Sequence, residues 1–274
     1  VALTAAGIDN ARFEARLLMS HAADLPVEAL ISRGRDPAPP VLEEKLRALT
    51  ARRVRREPMA YILGEREFWG LPFRVSPAVL VPRPDSETVI EVALSLLADH
   101  TRAWTLLDLG LGSGCLLLTL LRELPNARGV GLEASPDALA IAQGNAEALG
   151  VAARATLLLG DWRQPDWTAP LGGPFDLVVS NPPYIGAATI DGLMPEVARY
   201  EPRLALDGGP DGLSAYRVIA AAAPALTVPG GHVLVELGEG QAIDIKEIFE
   251  GFGFRVAPPV KDLGGIERVL RATH

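Results

Sequence analysis

The chain has a single cysteine, Cys115. One thiol excludes an internal disulfide framework and a thiolate zinc cluster, and it fits a reducing compartment such as the cytoplasm. Histidine is nearly as scarce. His21, His100, His232 and His274 are scattered, and no two stand at a metal-ligand spacing, so the chemistry is expected to need no metal. No apolar run reaches the roughly 18 residues that a membrane span requires. Val1 to Asn10 shows neither a basic leader nor a long apolar stretch, so no secretory signal is expected. Internal repeats and low-complexity tracts are absent as well.

What is there suits a globular protein with a substantial core. The 274 residues are 49% apolar, enough for one large domain or two smaller ones. The net charge of −8 is unevenly spread: residues 1–84 balance at +3 and the remainder at −11. An acidic main portion is a poor generic binder of nucleic acid. The basic cluster Arg52, Arg53, Arg55 and Arg56 ends an expected helix, where cations suit the helix dipole, and is read as a solvated face.

Leucines recur at helical spacing through residues 1–56, broken by Pro26 and by Pro37, Pro39 and Pro40, which predicts a small helical domain. Residues 57–84 change character. Tyr61, Ile62, Phe68, Trp69, Phe73, Val75, Val79 and Val81 lie among glycines and prolines, and two strands joined as a hairpin are expected within 59–82. Residues 85–274 alternate between strand-like and helix-like segments. Strands are expected at 105–109, 129–133, 155–160, 175–180, 232–237, 255–257 and 267–271, with helices at 86–99, 114–123, 136–149, 212–224 and 240–251. This pattern predicts an α/β fold: a Rossmann-like, doubly wound sheet with helices on both faces. Ligands of such sheets sit beyond the carboxyl ends of the strands, where the strand order reverses.

Two such strand ends carry unusual residues. After Leu106-Leu107-Asp108-Leu109 comes Gly110-Leu111-Gly112-Ser113-Gly114, a glycine turn opening a helix. Glycines let a ligand approach the backbone, and the helix N-terminus suits an anionic group. The dinucleotide pattern needs a third glycine at 115, where Cys115 stands. Glycine at 110, 112 and 114 matches instead the S-adenosyl-L-methionine turn of Rossmann-like methyltransferases. Glu133 closes the next strand and can accept from both ribose hydroxyls. Ser135 and Pro136 then read as the cap and first position of a helix. Asp161 and Trp162 end the third strand, placed to accept from an adenine amine and to cover the adenine face.

Asn181-Pro182-Pro183-Tyr184 follows the apolar run Phe175 to Val179. Two prolines cannot continue a central strand, because neither donates an N–H. They stiffen the turn and leave carbonyl oxygens free. An Asn amide, a free carbonyl and an aromatic face can together hold a planar –NH2 group, either a glutamine amide or the exocyclic amine of adenine.

These motifs, with Glu57-Pro58-Met59-Ala60-Tyr61-Ile62-Leu63-Gly64, Phe68-Trp69-Gly70, Val81-Pro82-Arg83-Pro84-Asp85-Ser86-Glu87, Tyr200-Glu201-Pro202-Arg203-Leu204-Ala205-Leu206, Gly208-Gly209, Asp211-Gly212-Leu213 and Asp262-Leu263-Gly264-Gly265, resemble the protein-(glutamine-N5) methyltransferases of peptide chain release factors. The resemblance runs from about residue 57 to the C-terminus. It departs at Asp85-Ser86, where Glu-Thr is usual, at Leu111, where Thr is common, and at Glu133, where Asp is usual.

The resemblance implies a class I methyltransferase domain. Its cofactor is S-adenosyl-L-methionine, which becomes S-adenosyl-L-homocysteine, held by Gly110, Leu111, Gly112, Ser113, Gly114, Glu133, Asp161, Trp162 and Asn181. It implies a release factor's Gly-Gly-Gln glutamine as substrate, bound by Asn181, Pro182, Pro183 and Tyr184. Catalytic roles fall to Asn181 and Pro182 as acceptors and to Tyr184 as a stacking face. Residues 1–56 are then a docking domain for the release factor. A monomer in the cytoplasm is expected, with no membrane and no direct nucleic-acid substrate. An adenine-N6 methyltransferase acting on DNA or RNA is the alternative, and a NAD-dependent oxidoreductase a more distant one. Arg83 and Glu87 are expected to form a structural ion pair at the domain junction.

Overall fold

A computed structural model describes residues 1–32 and 37–274. The leucine pattern of the N-terminal segment produces helices Ala2–Ala5, Ala11–Ala23, Val27–Ser32 and Pro40–Val54, which bury Leu3, Ile8, Leu18, Ala22 and Leu49 in a core of their own. A further short helix, Met59–Leu63, adds Ile62 to that core and ends at Gly64 in the left-handed conformation (φ 79°). The strand expectation therefore fails at its start. Ala60 and Tyr61 pack on one apolar cluster and Ile62 on another, so burial on several sides, rather than on alternate faces, decides the local structure. The hairpin follows as β1 (Glu65–Phe68) and β2 (Leu71–Arg74). Its Phe68 and Phe73 meet edge to face at 6.1 Å and are buried against the main domain.

The arginine cluster is only in part the solvated face expected of it: Arg55 is exposed, but Arg52, Arg53 and Arg56 are drawn into ion pairs. Arg53 is 7% exposed; its Nε donates to Glu14 at 2.7 Å and its Nη1 to Glu196 at 2.9 Å. Arg56 donates to the second oxygen of Glu196 at 2.9 Å, and Arg52 pairs with Glu57. The cluster thus ties the helical layer to helix Pro195–Ala198 of the main domain.

The main sheet comprises β3 (Thr105–Leu109), β4 (Arg128–Glu133), β5 (Ala155–Leu159), β6 (Phe175–Ser180), β7 (Thr227–Glu236), β8 (Arg255–Val256), β9 (Val260–Lys261) and β10 (Glu267–Thr273). Every expected strand is present; the two-residue β9, too short to show a period, was not anticipated. The order is β5-β4-β3-β6-β7-β10-β8, with β9 beside β10. The first five strands are parallel, and β10 runs antiparallel to β7.

Period-2 alternation places Leu106, Leu177, Val179 and Leu234 on one face under helices Glu87–Leu96, Cys115–Glu123 and Pro136–Ala148. Leu107, Leu109, Val178 and Val233 lie on the other, under helices Ser214–Leu226 and Ala242–Gly251. Both faces are covered, as a parallel sheet requires. The chain builds outward from β3 to β5 and then returns to lay β6 on the other side of β3. The reversal opens a crevice at the carboxyl ends of β3 and β6.

Candidate active site

The turn after β3 is shaped by its glycines. Gly110, Gly112 and Gly114 have φ of 81°, 55° and 82°, a region that side-chain-bearing residues rarely adopt. A Cβ on Gly114 would also lie 2.7 Å from Leu118 of the following helix, and one on Gly110 3.1 Å from the Trp162 ring. Glu133, 8% exposed at the end of β4, holds the turn from the other side. Its Oε2 accepts the Gly112 N–H and its Oε1 the Ser135 N–H, each at 2.8 Å. Each oxygen keeps a lone pair for a ligand hydroxyl. Ser135 caps helix Pro136–Ala148 by accepting the Ala138 N–H. Buried Asn145 links the turn to the hairpin: it donates to the carbonyls of Ser113 and Arg74 and accepts the Arg74 N–H.

One wall of a cavity of about 330 Å³, within the size range of small-molecule sites, is formed by Gly110, Leu111, Gly112 and Ser113. Glu133, Asp161 and Trp162 form the next wall, and Asn181 and Pro183 the third. Gly114, Pro182 and Tyr184 lie outside its lining. Asp161 is ion-paired: Arg163 donates to its two oxygens at 2.9 and 2.7 Å, which holds the carboxyl below its ordinary range.

Asp108 also lines the cavity and was not singled out from sequence. Its Oδ2 accepts the Leu117 N–H, while Oδ1 is buried without a partner, and burial pushes its pKa up to about 7. A buried, unpartnered carboxylate oxygen calls for a donor or a cation, and the α-amino group of S-adenosyl-L-methionine is one. The signal in the sequence was an acid inside an apolar strand, next to the glycine turn.

At the end of β6, Asn181 is half-buried, and its Nδ2 donates to Ser86 Oγ at 3.2 Å. Its Oδ1 takes no hydrogen bond from the described residues. Pro182 is buried, and its carbonyl is likewise unused among the described residues. Tyr184 does not occupy the expected stacking position. Its ring stands beside Gly238, where an added Cβ would lie 3.0 Å from Cδ2, and its hydroxyl points to Glu236. The expected Arg83–Glu87 pair is also absent. Arg83 donates to buried Glu201 at 2.6 Å, and Glu87 accepts the Trp69 N–H at 2.8 Å, because the hairpin, not Arg83, comes within reach of that helix start.

The glycine-rich segment 208–212 buttresses the tetrapeptide. A Cβ on Gly208 would lie 2.8 Å from the Pro183 carbonyl oxygen. Gly212 has φ 76°, and a Cβ there would overlap the Tyr184 carbonyl, which accepts from Gln241 Nε2 at 3.1 Å. Gly212→Ala is therefore expected to displace Tyr184 and lower turnover at this site about tenfold or more. Cofactor affinity, read by calorimetry, should change less than about threefold, because the glycine turn is untouched. Wild-type turnover in this variant would show that the backbone of Tyr184 tolerates the shift.

Residues 1–64 match the family model described as PrmC N-terminal domain, and residues 106–200 the one described as Methyltransferase domain. A release factor glutamine methyltransferase of Rhodospirillum rubrum is 45% identical over 98% of this chain and 81% of its own length. One of Geobacter sulfurreducens is 48% identical over 96% of this chain and 90% of its own. A methyltransferase of Pyrococcus furiosus superposes with a TM-score of 0.53 at 18% identity, over 84% of this chain and 98% of that one, a likeness of fold. With nearly half of its residues shared along almost its whole length, this chain belongs to the release factor glutamine methyltransferases.

Proposed function

We propose that the chain methylates the side-chain nitrogen N5 of the glutamine in the Gly-Gly-Gln motif of peptide chain release factors, with S-adenosyl-L-methionine as donor and S-adenosyl-L-homocysteine as product. One observation carries the reading: Asn181, whose Oδ1 is unpaired among the described residues, lines the same cavity as Glu133 and the glycine turn. An acceptor so placed can hold an incoming amide next to the cofactor.

Gly110, Leu111, Gly112 and Ser113 would hold the methionine end, with Asp108 Oδ1 accepting from its amino group and Gly114 shaping the turn from outside the cavity. Glu133 takes the ribose hydroxyls. Asp161 and Trp162 receive the adenine. Bound there, S-adenosyl-L-methionine supplies a methyl group activated by a sulfonium centre. The obstacle lies in the nucleophile, whose lone pair is delocalised into its carbonyl. Asn181 Oδ1 and the Pro182 carbonyl accept the two N–H bonds of the glutamine amide, which favours charge developing on that nitrogen and keeps it facing the methyl group. Pro183 sets the turn. Tyr184 braces it from behind. Held by those two acceptors, the amide nitrogen would be the nucleophile for that methyl group, and the N–H acidified by the transfer would give its proton to water. No general base is required, in keeping with the lack of a histidine among the cavity residues.

In this reading residues 1–56 dock the release factor, 57–84 link and 85–274 carry out the transfer. The enzyme acts as a cytoplasmic monomer without a nucleic-acid substrate. Among the described residues, no helix is long and apolar enough to cross a membrane. The test is mass spectrometry of a release factor incubated with the protein and S-adenosyl-L-methionine, beside DNA and RNA controls. One added methyl on the motif glutamine is the expected result. Methyl incorporation into adenine, or an unmodified glutamine, would reject the reading.

A further inference from the structure

Behind the tetrapeptide, Glu236 ends β7 with 1% of its surface exposed. Ser86 Oγ donates to its Oε2 at 2.5 Å, and the Tyr184 hydroxyl points to its Oε1 at 3.4 Å. Ser86 has one proton, and Glu236 holds it. Its oxygen is left only to accept, and Asn181 Nδ2 fills that role at 3.2 Å. The direction of each bond therefore follows from the one before it. We infer that Glu236 is a positioning residue that grips both ends of Asn181-Pro182-Pro183-Tyr184 and, through Ser86, fixes which face of the Asn181 amide meets the substrate.

An ionised Glu236 can only accept, so Oδ1 of Asn181 faces the cavity. A protonated Glu236 can donate to Ser86. Ser86 then donates to Asn181, and the amide turns its –NH2 toward the incoming –NH2, donor against donor. The inference rests on Asn181 being the acceptor for the substrate amide. Nothing in the motif itself signals it, since Ser86 and Glu236 lie 95 and 55 residues from Asn181 along the chain.

Burial pushes the Glu236 pKa up to about 7, with Ser86, Arg268 and Tyr184 pulling it down and Asp85 raising it. Arg268 on β10 is shared with Asp262 and Asp85, at 3.1 and 3.3 Å. Tyr184 and Tyr216, whose hydroxyl donates to the Glu236 backbone carbonyl, are raised by burial, and Cys115 is pushed up to about 12. Asp108 shares the range but acts on cofactor affinity, so rates are compared at saturating cofactor.

The sign for stability opposes the sign for activity. A carboxyl whose folded pKa is raised contributes stability that is full below its unfolded pKa and is lost as pH rises through about 7. Activity, which needs the ionised form, rises through the same interval. Glu236→Gln should therefore be at least as stable as the wild type at alkaline pH, yet less active.

The experiment is kcat against pH for full-length protein and release factor. Wild-type kcat is expected to rise through neutral pH. Glu236→Gln should be flat over that range, about tenfold slower at the alkaline end, and convergent with wild type at the acid end. Ser86→Ala should lose a similar factor, and the double variant no more than either single, since all three act on one relay. Melting temperature and cofactor affinity check that each variant is folded. A Glu236→Gln enzyme that keeps the wild-type rate and pH profile would overturn the inference, as would full additivity of the two substitutions. Asn181→Ala run alongside separates the readings. If it is inactive while Glu236→Gln is normal, only the relay fails; if it is fully active, the role of Asn181 fails as well.

Discussion

Asn181→Ala is expected to lower turnover about 10²–10³-fold, the loss seen when one preorganised group is removed from a developing charge. The substitution removes Oδ1, unpaired among the described residues, and frees Ser86 Oγ, but leaves the glycine turn and Glu133 as they are. Cofactor affinity by calorimetry should stay within about threefold, because the hydrogen bonds that hold the glycine turn to Glu133 do not involve Asn181. The effect should fall on kcat rather than on the KM for the release factor, since an acceptor that matters as charge develops is felt in the transition state. A KM effect with unchanged kcat would make Asn181 a binding residue only. Full activity would remove it from the mechanism.

Glu133→Ala is expected to be the most damaging single change to cofactor binding, weakening it about 10²–10³-fold. Two losses combine. The ribose hydroxyls lose their acceptor, and the N–H groups of Gly112 and Ser135 lose theirs, so the turn loses its brace. Each unmet group costs about 1–3 kcal/mol. Glu133→Gln separates the two, because its amide oxygen can keep one backbone bond while its –NH2 cannot accept the second. An intermediate loss is expected. Titration calorimetry with S-adenosyl-L-homocysteine reads both. If Glu133→Ala binds within about threefold of wild type, the ribose assignment is wrong.

Several parts of the site could be seen in the chain before its fold. The three glycines, the acid closing the second strand and the Asn-Pro-Pro-Tyr run each mark a strand end, where backbone polar groups leave the ladder and face a ligand. Other parts could not. Asp108 is one acid in an apolar run and became legible only when its Oδ1 proved buried without a partner. Arg52 to Arg56 look like any basic helix end; the role of Arg53 and Arg56 depends on Glu14 and Glu196, of which Glu196 stands 143 residues from Arg53. Arg83 was matched with the nearby Glu87, but finds Glu201, 118 residues away. Sequence proximity misleads here because side chains pair across packed elements rather than along the chain.

Local chemistry was thus enough to determine the class of the fold and the cofactor turn. Period-2 runs favour sheets, glycine most readily adopts the dihedrals at 110, 112 and 114, and prolines must leave the ladder at 182 and 183. Tertiary packing alone decided which way the Asn181 amide faces. That orientation depends on a serine before the first helix of the main domain and a carboxylate at the end of β7, which meet only because the sheet order lays β7 beside β6. Hydrogen-bond direction passes through contacts in space, and no pattern along the chain encodes it.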